Sequence, residues 1–240
     1  MATLLLKLLG PMQSWGSRSR FDHRDTEREP TKSGVLGLVA AALGRDRSEP
    51  VDDLAQLRLG IRVDREGTLA TDYQTAQNVI KASVTREQWR RAREKKKTTG
   101  TQDTVVSRRH YLADAAFLVG LEGDAGLLEK VGVALRNPRW TLFLGRKGYL
   151  PAEPVYFPEG GLTKDGLETA LAYGPLLINP GEKATHVRYA IELDPGCRVA
   201  LPWQVRELWD QPLAPFAERQ FGARLVGEVA LPWGEVPQCT

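Results

Sequence analysis

Pro30 to Gly44 reads PTKSGVLGLVAAALG. After a proline and three small polar or basic residues it runs without a charge until Gly44 stops it. That length and composition predict a helix, with Thr31 or Ser33 as N-cap and Gly44 as the C-cap glycine. The helix is apolar nearly all round, so it must be buried, and a sheet is the natural partner. Gly34 and Gly37 lower helix propensity, which suggests that something approaches this helix closely. Its start is an anion site by backbone geometry, with Lys32 adding a positive charge beside it. An ordinary capped helix would carry the same residues. A nucleotide P-loop needs glycines ahead of a Gly-Lys pair, and Lys32 instead follows Arg28, Glu29, Pro30 and Thr31.

Upstream of the helix, Thr3 to Leu9 is a mostly apolar run that reads as a buried central strand. The loop GPMQSWG after it (Gly10 to Gly16) places Gln13 and Trp15 between glycines, and a tryptophan there is either a core plug or a stacking surface. Ser17 to Glu29 is highly charged and reads as an exposed, mobile loop. Beyond the helix, Leu57, Leu59, Ile61 and Val63 alternate with Arg58, Gly60 and Arg62, the pattern of a half-buried strand. Thr68 to Val79 reads as extended.

Between Val79 and His110 there are ten basic and three acidic residues, a net of +7 in a chain whose total is only +3. The basic character is therefore concentrated in one segment, 79–110, which reads as an arm with a hairpin base and a flexible basic tip. Its cations suit a phosphate backbone, and a solvated face is the plain alternative. Ala113 to Leu121 then predicts a buried strand, and Gly126 to Arg136 a helix with apolar residues at i, i+3, i+4 spacing. Strand, helix, strand, arm, strand, helix is the ferredoxin-like βαββαβ order, with Pro154 to Phe157 as the best candidate for its last strand. Gly145 and Gly148 bracket Arg146 and Lys147 in a loop that lets backbone amides and two cations meet an anion. The expected architecture is α+β: a ferredoxin-like (RRM-like) N-terminal domain over 1–160 with the basic arm inserted, and a smaller, mainly β region over 161–240. Prolines and tryptophans in that last third point to short strands and turns.

Several function classes fall away. The three histidines, His23, His110 and His186, have no zinc-binding spacing, and no nucleophile elbow, dinucleotide fingerprint or EF-hand loop is present. No cofactor is implied. Cys197 and Cys239 are too few and too far apart for a disulfide framework and fit a reducing cytoplasm. Met1 to Gly10 lacks the basic start and cleavage site of a secretory signal, and no run reaches membrane-spanning length. His110, beside Arg108, Arg109 and Tyr111, is the one histidine placed for metal-independent RNA cleavage; a histidine within a basic binding surface is the plainer reading.

Four stretches in this order, GPMQSWG (Gly10 to Gly16), PTKSGVLGLVAAALG (Pro30 to Gly44), RRHYLADAAFLVGL (Arg108 to Leu121) and LGRKGYLPAEPVY (Leu144 to Tyr156), resemble the CasD family of type I-E CRISPR Cascade subunits. The likeness covers residues 1 to 157 well and the last third loosely. It implies an RRM-like RNA-binding fold with a thumb-like arm and a glycine-rich loop. It also implies a non-catalytic subunit that holds the 5′ handle of the crRNA and caps the CasC backbone. Contact with the large subunit CasA follows from it as well, as does access to target DNA through the complex. In the related type I-C system the equivalent subunit is itself the processing ribonuclease, which keeps His110 as an alternative catalytic residue. A purely structural subunit touching protein or displaced DNA is a third reading. Carried over by position, Gln13 and Trp15 belong to the handle-side loop, and Thr31, Lys32 and Ser33 open the first helix. Arg108, Arg109 and His110 lie at the arm base, and Gly145, Arg146 and Lys147 form the glycine-rich loop.

Overall fold

The computed structural model describes residues 1–17, 23–80, 83–95, 102–194, 197 and 203–237. In chain order its strands and α-helices begin with β1 (Ala2–Leu9), β2 (Met12–Gln13), β3 (His23–Arg24), α1 (Lys32–Leu43), α2 (Asp52–Ala55) and β4 (Arg58–Arg65). There follow β5 (Thr68–Ile80), α3 (Arg86–Glu94), β6 (Gln102–Ala113), β7 (Ala116–Gly123) and α4 (Ala125–Arg136). The last third holds β8 (Leu162–Thr163), α5 (Leu167–Tyr173), β9 (His186–Glu192), β10 (Gln204–Pro212) and β11 (Phe221–Pro232).

The protein is mixed α+β, with a seven-stranded sheet in the order β10-β11-β9-β4-β7-β1-β8 and antiparallel neighbours throughout. Within it β1, α1, β4, β7, α4 and β8 follow one another in βαββαβ order, the arm interrupting between β4 and β7. α1 and α4 cover one face and α5 the other. That double cover explains why β1 and β7 are near-continuous apolar runs. It also corrects the expectation for β4, which is buried on both faces rather than half-buried. Arg62 is 1% exposed and pairs with Asp64 at 2.7 Å, while its remaining donors reach the carbonyls of Leu171, Gly174 and Pro175 at the end of α5.

α1 ends as expected on Gly44, whose φ of 74° lets its N–H turn back to the last helical carbonyls. α4 starts on Asp124, whose carboxylate accepts from the Leu127 N–H at 2.8 Å. The last strand of the βαββαβ unit is a correction. Pro154 to Phe157 forms no strand, and β8 takes the place beside β1. The expected segment still lines the β1 edge, since the Lys7 N–H donates to the Val155 carbonyl at 2.9 Å and the Leu5 N–H to that of Gly161 at 2.8 Å. Pro151, Pro154 and Pro158 interrupt it and prevent a regular ladder.

The C-terminal strands continue the same sheet, because β9 pairs directly with β4. Cys197 is disulfide-bonded, against the expectation that the two cysteines fit a reducing cytoplasm; Cys239 lies outside the described residues. Among the described residues no helix is long and apolar enough to cross a membrane.

The arm is a long antiparallel hairpin, β5 against β6, rooted deeper than expected, at Thr68↔Ala113. It carries α3, which a Thr85–Gln88 capping box starts and which buries no residue. Residues 96–101, where the basic tip was expected, lie outside the described residues. The outer edge of β6 is joined by β2 antiparallel and by β3 parallel, completing a second sheet.

Candidate nucleic-acid interface

The loop after β1 contributes its backbone, not its two conspicuous side chains. Gln13 is fully buried, donating from Nε2 to the carbonyls of Leu8 at 3.0 Å and Ala115 at 2.8 Å. Its Oε1 accepts from the Trp15 indole at 3.2 Å, and Trp15 is 1% exposed against α1. Gln13 and Trp15 therefore hold the loop in the core, the plug reading of Trp15, and both side chains are buried. A Cβ at Gly34 would sit 2.9 Å from the Trp15 ring, so it is tryptophan that approaches the helix closely. Gly37, by contrast, has nothing within 4 Å of a Cβ and is not a packing glycine against the sheet.

The start of α1 is likewise occupied from within. The Lys32 N–H donates to the Asp210 carboxylate at 2.6 Å, so an aspartate of β10 fills the anion position at the helix N-terminus. The Lys32 ammonium is buried against Glu192 at 2.8 Å, and burial pushes it below the ordinary lysine value despite that partner. Thr31 is buried as well and makes no side-chain cap; Ser33 is half-buried. This corrects the expectation that Thr31 and Lys32 open toward a ligand.

The remaining expected residues come together at the arm base. Parallel pairing of β3 with β6 sets His23 opposite Arg108 and Arg24 opposite Arg109. Strand alternation sends Arg109 to one face and Arg108 and His110 to the other. On the first face an open, mainly polar cleft of about 360 Å³ is lined by Ser14, Gly16, Arg24, Asp25, Arg109, Gly145 and Arg146. Arg146 stacks over Tyr149 and donates to the carbonyls of Arg24 at 3.2 Å and Asp25 at 3.3 Å. Arg109 is steadied by the Ser107 hydroxyl at 3.0 Å. Three arginines thus line one cleft, together with Asp25, and exposed Lys147 lies beside it in sequence. Planar, multidonor cations in that arrangement suit phosphate oxygens. Nothing local in the chain singles out Arg24 beyond its place in a charged loop, since its partner strand lies far along the sequence.

Gly145 fixes the shape of this cleft. Its φ is 89°, and a Cβ there would run into the Ser14 carbonyl oxygen. Gly145→Ala should therefore cost about 2 kcal/mol or more, from the left-handed backbone and the clash together. A urea midpoint shift equivalent to less than about 0.5 kcal/mol would show that the loop yields freely.

On the opposite face the His110 ring bonds the Thr71 hydroxyl at 3.0 Å and meets the His23 ring edge-on at 4.8 Å, with Arg108 exposed nearby. Tyr73 stands opposite Arg108 on β5 and is 62% exposed.

The chain is similar to several known proteins. The family model for CRISPR-associated protein (Cas_Cas5) matches residues 3–227. The CRISPR system Cascade subunit CasD of Escherichia coli (strain K12) is 30% identical over 167 residues, covering 64% of this chain and 69% of that one. A solved structure described as a Cas protein superposes with a TM-score of 0.73 at 46% identity, over 98% of both chains. A chain of a solved CRISPR RNA-guided surveillance complex superposes with a TM-score of 0.70 at 27% identity, over 96% of this chain and 90% of that one.

Proposed function

The chain belongs to the Cas5 family of CRISPR-associated proteins, and we propose that it is the crRNA-binding cap subunit of a type I-E Cascade. In this reading it grips the 5′ handle, closes one end of the CasC backbone, contacts CasA, and meets target DNA only through the complex. It works in the cytoplasm and does no chemistry of its own. The observation that carries the reading is that Arg24, Arg109 and Arg146 line one mainly polar cleft at the root of a basic arm. The arginines supply affinity through handle phosphates, and the preference for the native handle comes from the cleft walls, which admit only some strand conformations. The Cascade assignment is supported by the likeness to E. coli CasD.

The test compares a guide RNA carrying its native 5′ handle with one whose handle is scrambled. Native-handle guide should bind at least tenfold tighter and support assembly with CasC; equal binding and equal assembly would remove handle recognition. A second reading, a metal-independent endoribonuclease, is favoured by the His23–His110 pair, which sets two imidazoles beside Arg108. Repeat RNA incubated with the protein in EDTA separates the two. Intact RNA is the expected result; a discrete cut that disappears in His110→Ala establishes the enzyme instead.

A further inference from the structure

The segment from Arg24 to Lys32 has two ends with different attachments. At the cleft end its backbone is part of the binding wall. The Arg24 and Asp25 carbonyls accept from Arg146, and the Trp15 N–H donates to the Thr26 hydroxyl at 2.9 Å. The Glu27 N–H returns to the Trp15 carbonyl at 2.8 Å. At the other end the segment is held by charge. Glu29, expected to be exposed in a mobile loop, is 3% exposed. It lies between Arg188, at 2.8 Å, and Arg206.

These two arginines belong to an ordered array. β9 supplies Arg188 and Glu192, β10 Arg206 and Asp210, and β11 Arg224 and Glu228. On each strand the two named residues lie four positions apart, and the ion pairs among them put them on one face of the sheet. Arg224 clamps Asp210 at 2.6 and 2.9 Å, and Asp210 in turn accepts from the Lys32 N–H. Glu228 lies 3.5 Å from Arg206 and 3.6 Å from Arg188. Buried and half-buried pairs of this kind stabilise no more than apolar packing of the same volume, yet they demand close geometry. What such an array supplies is position.

We infer that the charged array on β9–β11 is a positioning device for the cleft, with Glu29 and Arg206 as its positioning residues. It fixes one end of the Arg24–Lys32 segment so that the Arg24 and Asp25 backbone meets Arg146 already in place. The last third of the chain thereby sets RNA affinity without touching RNA. This rests on the reading that the cleft binds RNA.

The test uses the full chain and a guide RNA with its native 5′ handle, titrated over a salt series, in four variants. Arg206→Gln removes one of the two cations on Glu29; Arg206 is 31% exposed, so this is the mildest break. It should weaken binding about tenfold, leave the salt slope at the wild-type value, and speed amide exchange of residues 24–27 in the free protein. Glu29→Gln should do the same or more, and Arg206→Lys, which keeps the charge, should restore most of the affinity. Arg146→Ala should instead lower the slope by about 0.7, the value of one single-strand phosphate contact. Wild-type affinity and exchange in Arg206→Gln, with Arg146→Ala defective, would overturn the positioning role alone. A reduced slope in Arg206→Gln would make Arg206 a direct RNA contact and also overturn it. An unaltered Arg146→Ala would remove the cleft reading and the positioning role with it.

Discussion

Replacing Arg24, Arg109 and Arg146 together by alanine is expected to lower affinity for handle-bearing guide RNA about a thousandfold at low salt. Each guanidinium lining the cleft can make a charge-assisted bond to phosphate, worth about 1.5 kcal/mol or more, and three of them sum to that order. Counterion release gives a second signature. Log affinity against log salt should flatten by about two units, since each lost single-strand contact removes about 0.7. The fold should survive, because Arg24 is exposed and Arg109 and Arg146 are only half-buried. Anisotropy titrations with labelled guide check both numbers. A triple variant that loses less than about tenfold, with an unchanged slope, would place the RNA elsewhere, the α3-bearing arm being the next surface to mutate.

Arg62→Met is expected to be the most damaging single substitution for stability. Arg62 and Asp64 are 1% and 0% exposed, and the methionine leaves that carboxylate buried with no cation beside it. It also strips a donor from the carbonyls of Leu171, Gly174 and Pro175, which end α5 and start the chain after it. Breaking one side of a buried pair costs about 3–5 kcal/mol. In a chain of this size that lowers the melting temperature by about 10 °C. The double variant Arg62→Met with Asp64→Leu should recover a large part of the loss, because an apolar pair of similar volume removes the orphaned charge. A single-variant loss below about 1 kcal/mol would mean that water reaches Asp64, and the pair would then be unimportant to the core.

Legibility from the chain varies from element to element. α1 is legible to within a residue or two, since an uncharged run closed by Gly44 is a local signal. α4, with its apolar spacing ahead of Pro138, is equally plain. The arm is legible from charge density, although its strands start and end beyond the charged window. The glycine-rich loop stands out for a physical reason: Gly145 has a backbone that a side chain would not tolerate. Arg109 and Arg146 are candidates from the chain alone and meet in the cleft. Arg24 is not, because β3 is two residues long and its partner in β6 is 85 positions away.

Local chemistry in the chain settles α1 and α4, the α+β class, the concentration of charge in one arm and the glycine-rich loop. These follow from side-chain period, caps and glycine sterics, which act over a few residues. Which cations remain available is a matter of the folded molecule. Lys32 has the look of a ligand and is engaged by Glu192, and the helix N-terminus beside it is taken by Asp210, 178 positions away. Gln13 and Trp15 have the look of a binding loop and are core. A charge's partner is set by distance in space, and no local pattern in the chain records whether a cation folds toward a carboxylate or toward solvent.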